Sequence, residues 1–584
     1  MILLLGEWMN DSKFRDISLI ILTVLVVYFP AITGVVNSID DVHIIKAYSV
    51  SGQRTLQSIL IPRDQFYFRP FVELSYYLDN LFWGLEPRVM HLENILLHLL
   101  NAILIYLVAS RVNQIKMGTK RVPLLSALLF SLHPINTEAI CWIAGRTDPI
   151  AGLFILLSLY LLLKFIQSGS LLSLTSAFTA MLLAFLSKEV ALMLLPVSIG
   201  LLIITRLTSQ EETNVRWKYY FSITLYASFG LLLAGYVVAR LISKTGASET
   251  TLEIWSNHSF DLWKTLFIAL TTLGFYAKKL FIPLPLNFAI DSVSGWYFLP
   301  GIMVVFYVIY CSSKMSIAQF FGLSGVIFIL PAIFVRLAEI TWTPVAERYL
   351  YIPSMFFSIA AVTLLFDQFN DALKSLLVRH ALVGVIAVLA LITFNRNEIW
   401  RNNLSLYQDT VLKSPTFGDI HNELGMAFLR NNQLDKARYH FQIASKLSTR
   451  PLIKEFAEMN LLLCDLHDLS LQDTRIKIGN YISRHNDTNV ELLLMLRGVL
   501  EEILQTENKG ARKTELVCDI IELNNKIYDI DKDPHCYYRN GQLFLLLGKR
   551  QEALQYFQKV IHMSPQSSYY LKPAQKLVYL LERQ

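Results

Sequence analysis

Two adjacent carboxylates, Asp40 and Asp41, follow an apolar stretch near the start of this 584-residue chain. Further charged residues recur in short segments downstream. These are Arg69 in FRPF, His133, Glu138, Arg146 and Asp148 in HPINTEAICWIAGRTD, Lys188 and Glu189 in LSKE, and Glu347 and Arg348 in ERYLYIPS. A carboxylate can take the proton of an attacking hydroxyl, worth roughly 10²–10⁴-fold in rate. Arginine and lysine can hold a departing phosphate, which needs cations rather than a general acid. One carboxylate and one or two cations facing the same membrane boundary are the minimum equipment for moving a sugar from a lipid phosphate to a hydroxyl.

The elements that must position these residues are membrane helices. The chain is 54% hydrophobic and only 17% charged, with a mean hydropathy of +0.43. From about Ile17 to Phe394 the apolar residues come in blocks near the ~20 residues that span a hydrocarbon core. Spans are expected at 17–36, 88–110, 122–133, 148–166, 171–187, 189–205, 219–242, 296–313, 317–338, 349–366 and 379–394, about eleven in all. The stretch 262–283 is apolar but ends in Lys278-Lys279 and IPLPLN, so it either spans or lies in the interface. With the N-terminus cytoplasmic, Arg111, Arg121, Lys164 and Arg206 fall in inner loops, the positive-inside bias. The loop 37–87 and the C-terminal tail then lie on the outer, periplasmic or lumenal, side. The charged clusters share that side, whereas independent scatter would divide them between the two faces. The expected fold is all-α: a polytopic bundle over 1–394 and a soluble helical domain over 395–584.

That tail carries a repeat. Leu424, Gly425, Phe428, Ala437, Phe441 and Ala444 return, with matching spacing, as Gly541, Phe544, Ala553, Phe557 and Val560, followed by Pro565. Small residues let paired helices approach and aromatics fill the groove beside them, the tetratricopeptide (TPR) pattern of an α-solenoid. A net charge of +6 without a basic tract argues against a nucleic-acid partner, and the five cysteines have no metal-ligand spacing. The sequons at Asn257, Asn403 and Asn486 matter only in a secretory pathway.

Each feature also has a plainer reading. Asp40 and Asp41 could cap the helix that follows, or hold a divalent ion together. Arg69 could anchor a surface helix at the headgroups, and Arg348 beside Tyr349 and Tyr351 could belong to an interfacial belt. Lys188 could snorkel. His91, Asn94 and His98 fall along one side of a helix and could serve as interhelical hydrogen-bonding groups. His133, Glu138 and Arg146 could form a turn held by a local ion pair.

The chain resembles the multispan, TPR-bearing O-mannosyltransferase family and its bacterial relatives in the C-type glycosyltransferase superfamily. The resemblance rests on DD after the first span, FRPFVELSYYLDNLFWGLEPRVMHLENILLHLLN, HPINTEAICWIAGRTDPIAGL, LSKE, ERYLYIPS and RNEIWRNNLSLY, in that order over roughly 40–410. It implies an inverting transferase using a polyprenyl- or dolichyl-phosphate sugar, with a first-loop aspartate as base. That role falls on Asp41 or Asp40, with Asp41 preferred. Arg348, Lys188 and Arg69 are then the cations for the donor phosphate, and His91, His133, Glu138, Arg146 and Glu189 the walls of the site. The leading acceptor is a polypeptide hydroxyl presented by the TPR groove. The alternative is a non-enzymatic membrane scaffold whose TPR tail recruits a partner.

Overall fold

The computed structural model describes residues 11–48, 55–60, 68–116, 121–208, 222–227, 229–230, 261–313, 315–339, 341–369, 375–466, 469–485, 490–507, 510–564, 568 and 570–583. Among them every regular element is helical. Two compact units divide the chain, Met1–Ala427 and Phe428–Gln584.

The first unit holds α1 (Asp11–Tyr28), α2 (Asp41–Tyr48), α3 (Pro70–Trp83), α4 (Pro87–Lys116), α5 (Val122–Ser131), α6 (Thr137–Cys141), α7 (Thr147–Ser168), α8 (Leu171–Phe185) and α9 (Leu194–Thr208). It continues through α10 (Leu262–Phe281), α11 (Phe298–Ser313), α12 (Ile317–Ala338), α13 (Tyr351–Phe369), α14 (Leu376–Trp400), α15 (Asn403–Lys413) and α16 (Gly418–Arg430). Among the described residues six segments are long and apolar enough to cross a bilayer: Ser12–Thr33, Pro87–Gln114, Ile143–Ser168, Ile317–Ala338, Glu347–Phe369 and Leu376–Trp400. A seventh exists if Val122–Ser131 and Pro134–Cys141, bent by 48°, form one span. The bend falls at His133-Pro134, where proline removes an amide donor and disfavours helix before it. Three more of the expected spans are shorter apolar helices, Leu171–Phe185, Glu189–Thr205 and Gly295–Cys311, below the length of a full crossing. The span expected at 219–242 lies largely outside the described residues.

Burial differs among the spans. Two-thirds or more of the best windows of Ile143–Ser168 and Glu347–Phe369 are buried, against 6% for Leu376–Trp400. Val383, Val385, Val388 and Leu391 of α14 lie exposed, a surface that only hydrocarbon covers without cost. The uncertain stretch at 262–283 is one continuous helix, α10, capped by Asp261 on the amides of Trp263 and Lys264. It packs on α11 through bare backbone: a Cβ on Gly274 would strike the Tyr297 carbonyl, and one on Gly301 the Leu270 carbonyl.

The first unit does not stop where the apolar blocks stop. α14 runs unbroken through residue 394 to Trp400, and α15 packs on it. Hydropathy marks the end of the lipid-covered chain, whereas packing carries on to Ala427. The second unit contains α17 (Leu434–Leu447), α18 (Pro451–Leu466), α19 (Leu471–His485), α20 (Val490–Thr506), α21 (Ala511–Asp531), α22 (His535–Leu546), α23 (Arg550–Met563) and α24 (Leu571–Glu582). Each packs on the next, the arrangement of an α-solenoid. The repeat residues Ala437, Phe441, Ala444, Ala553, Phe557 and Val560 are all fully buried. Gly541 lies under the Phe557 ring, where a Cβ would come 2.6 Å from Cε1. Pro565 lies outside the described residues.

The two kinds of glycine should separate by measurement. Gly274→Ala forces backbone apart and is expected to lower the unfolding temperature in detergent, a cost of about 1–3 kcal/mol. Gly384→Ala in α14, with open space at its Cβ, should leave it unchanged or raise it slightly.

Candidate active site

After α1 the chain makes a 3-10 turn at Phe29–Thr33 and re-enters helix at Asp41. The Asp41 carboxylate is buried, with Oδ2 accepting the Asn37 amide at 2.9 Å and Oδ1 the Ala144 amide at 2.9 Å. Neither amide belongs to α2, so Asp41 ties two loops together rather than capping its helix. Burial pushes its carboxyl up to about 7, with the Asp40 charge adding and the Asn37, Ala144 and Ile143 amides opposing. Asp40 is half-buried. Its carboxyl is also raised by burial, while the charges of Arg348 and His43 pull it down.

Arg348 stands in the 3-10 turn Glu347–Leu350 that leads into α13. Nη1 donates to Glu138 Oε1 at 2.5 Å, Nη2 to Thr343 Oγ1 at 2.9 Å, and its own amide to Glu138 Oε2 at 3.1 Å. The guanidinium lies over the rings of Trp142 and Tyr349, at 5.1 and 5.0 Å. Glu138 therefore fixes both the backbone and the head of Arg348. Lys188 Nζ pairs with Asp148 Oδ1 at 2.6 Å, and Arg69 makes a two-pronged bond to Glu189, Nη2 to Oε2 at 2.7 Å and Nε to Oε1 at 3.1 Å. Each expected cation thus has its own carboxylate, and the Asp40–Asp41 pair is the acidic surplus. The charges of Arg348 and Asp148 act on one another, so the Lys188–Asp148 pair borders the same cluster.

Other expected wall residues do structural work. Arg146 is fully buried: Nη1 reaches Asp79 at 2.5 Å, Nε Asn94 Oδ1 at 2.8 Å, and Nη2 the Met90 carbonyl at 3.0 Å and Glu93 at 3.1 Å. His133 places Nε2 3.1 Å from the Leu280 carbonyl and accepts the Ile135 amide on Nδ1. His91 is buried against Gly34. Asn94 donates to the carbonyls of Ile140 and Trp142, and His98 lies between Tyr351 and the Ser131 carbonyl. The polar side of α4 extends one turn further, to Asn101, which donates to Pro149 O and Tyr351.

Two features escaped sequence reasoning. Lys279 pairs with Glu347 at 2.6 Å, both buried, and Glu347 also accepts the Asn287 amide at 2.9 Å. That anchors the turn presenting Arg348 to the loop after α10. The one available signal was a lysine pair inside an apolar helix together with an unassigned glutamate. The RNEIWRNNLSLY segment docks on the acidic loop: the Val35 amide donates to Arg401 O at 3.1 Å, and Asn403 Nδ2 to Val36 O at 3.0 Å. Asn403 was noted as a sequon, yet its side-chain amide is a structural donor here; Asn257 and Asn486 lie outside the described residues. No three His, Cys, Asp or Glu side chains converge as a metal ligand set among the described residues. Asp41, offered with Asp40 as a possible cation ligand, already holds two amides.

No protein-family model matches the chain. It is similar to a protein O-mannosyl-transferase of Caenorhabditis elegans (F38B6.6), 24% identical over 402 residues that make up 65% of this chain and 54% of that one. It is also similar to protein O-mannosyl-transferase tmtc2 of Xenopus laevis, 34% identical over 29% of this chain and 21% of the relative. Protein O-mannosyl-transferase TMTC2 of Homo sapiens is 40% identical over 17% of this chain and 11% of its own length. The chain thus spans about half the length of the first relative and much less of the others. The crystal structure of yeast Tom70 aligns at 10% identity over 82% of this chain and 95% of that one, with a TM-score of 0.18, too low to bear on the fold.

Two stability measurements follow from this geometry. A carboxyl that holds its proton more tightly when folded loses stability as pH rises from its unfolded value, about 4, toward about 7. The unfolding temperature of the wild type should therefore fall across that window by more than that of Asp41→Asn. The variant itself should be less stable by about 1–3 kcal/mol, because its amide cannot accept both backbone bonds. Arg146→Ala strands buried Asp79 and is expected to cost about 3–5 kcal/mol, read as loss of folded protein in detergent.

Proposed function

We propose that this chain is an integral-membrane, inverting glycosyltransferase that moves mannose from a polyprenyl- or dolichyl-phosphate donor to the hydroxyl of a polypeptide Ser or Thr. The observation that carries it is a half-buried carboxylate, Asp40, within the field of a firmly held arginine, Arg348, on the loop after the first span. The similarity to proteins named protein O-mannosyl-transferases supports mannose as the sugar and a polypeptide as the acceptor.

Asp40 takes the base role in this reading, and Asp41 the anchoring role. Asp41 is buried with both oxygens on amides, whereas Asp40 is the more accessible of the two. Asp40 accepts the hydroxyl proton while the hydroxyl oxygen bonds to C1 of the sugar. The C1–O bond to phosphate breaks from the opposite face, and its electron pair leaves with the lipid phosphate. Arg348 has five N–H donors, of which Glu138 and Thr343 engage one each on Nη1 and Nη2. The remainder suit a phosphate oxygen, with Glu138 keeping the fork oriented. Lys188 and Arg69, each steadied by a carboxylate, complete the cationic side of the site. The acidic loop and the repeat unit lie on the outer face, with the N-terminus in the cytoplasm, and the repeat unit binds the polypeptide.

The test is release of lipid phosphate from a labelled polyprenyl-phosphate mannose by purified protein. Wild type should release it in the presence of peptide, and Asp40→Asn should be at least about 10²-fold slower. Activity should rise with pH along a limb above the ordinary carboxylate range. Because the Arg348 charge pulls Asp40 down, Arg348→Met should move that limb to higher pH. No release from a panel of lipid-phosphate sugars by folded wild type would overturn the proposal.

A further inference from the structure

The acidic loop is held from a second direction, by residues the transfer chemistry does not use. Tyr407 of α15 is fully buried, with its hydroxyl 2.7 Å from Ser38 Oγ and 3.2 Å from Asn37 Oδ1. Ser38 Oγ in turn donates to Glu423 Oε2 of α16 at 2.6 Å. A serine and a phenol each have one hydrogen to give; with the Ser38 hydrogen on Glu423, the Tyr407 hydrogen is shared between Ser38 Oγ at 2.7 Å and the more distant Asn37 Oδ1. Asn37 Oδ1 also accepts the Ile39 amide at 2.9 Å, and the Asn37 amide is one of the two donors on Asp41. Three consecutive residues before the acidic pair are thereby fixed from helices that follow the last span.

We infer that Tyr407, Ser38 and Glu423 are positioning residues for the acidic pair, holding residues 37–39 so that the Asn37 amide stays on Asp41 and Asp40 keeps its aim. This rests on the transfer reading above for its kinetic consequences, but not for its geometry. None of the three touches a reacting atom. Their effect comes from alignment: a base displaced by about 1 Å forfeits on the order of 10²-fold in rate. The ionisable groups facing the pair are Arg348 and His43 at Asp40, Tyr76 and Tyr407 at Asp41, and Glu423 behind Tyr407. Loosening the Asn37 amide removes a donor to a carboxylate, so the pair should hold its proton more tightly. A chain ended near residue 400 lacks Tyr407 and Glu423 together with the repeat unit, so its loss of turnover would not by itself report on the repeats.

The experiment uses the full chain with Tyr407→Phe, Glu423→Ala and Glu423→Gln. At saturating donor, kcat should fall about 10- to 100-fold in Tyr407→Phe and Glu423→Ala, with the donor KM within about twofold. The acidic limb should move up by as much as about one pH unit. Glu423→Gln keeps an acceptor oxygen for Ser38 and should lose less than Glu423→Ala. Amide exchange over residues 35–48, read by mass spectrometry on the same folded preparations, needs no turnover and should quicken in Tyr407→Phe. Wild-type kcat and pH limb in folded variants would overturn the positioning role, as would a change confined to KM. Unchanged exchange would overturn the clamp whatever the wild type does. Faster exchange alongside an inactive wild type would leave the clamp standing and sink the transfer reading.

Discussion

A guanidinium taken wholly out of water must find partners for its charge and donors, and Arg146 is that constraint here. Its ligands come from α3, through Asp79 and Ser75, and from α4, through Asn94, Met90 and Glu93. The arginine itself sits at the end of the loop 133–146. Once it is satisfied, that loop has one position relative to both helices, and Asn94 adds bonds to the carbonyls of Ile140 and Trp142. The Ala144 amide is then presented to Asp41, Glu138 to Arg348, and the Trp142 ring to the Arg348 guanidinium. Residues that sequence alone would group as one catalytic wall divide into a buried frame and the groups it carries.

The charged cluster is built from pairs of opposite charge rather than from single groups. Desolvating a lone cation costs several kcal/mol, and a carboxylate partner offsets that while fixing geometry. Arg348, Lys188 and Arg69 each come with such a partner. A phosphate arriving among them would meet oriented donors, not a diffuse basic patch. The acidic pair differs: among the described residues, amides stand against the Asp41 charge and the field of Arg348 and His43 acts on Asp40, yet burial outweighs them and raises both carboxyls. A proton acceptor works best when its proton affinity lies near the working pH.

The helical class, the long spans and the solenoid spacing were legible because each is a periodicity. Phe441 and Phe557 repeat with their neighbours because each fills the same groove. What periodicity could not reveal was pairing across distance. Lys279 and Glu347 look, one at a time, like a helix end and a turn, and nothing local says that they meet. His133 and Arg146 stand beside Glu138 in one motif, yet Glu138 bonds Arg348 while His133 meets the Leu280 carbonyl and Arg146 bonds Asp79 and Asn94. The first compact unit runs past the last apolar block, to Ala427, for a related reason. α15 is polar enough to leave the bilayer, but Tyr407 and Asn403 still belong to the loop they hold.

The bond between Ser38 and Glu423 joins residues 385 positions apart. In the order of synthesis Ser38 precedes Glu423, and the apolar spans described after α1 are made between them. Closure over such a separation is slow on topological grounds, and units form largely as they emerge. The nascent chain therefore makes its acidic loop well before the residue that locks it, so the spans described between them are threaded before the loop acquires its final shape.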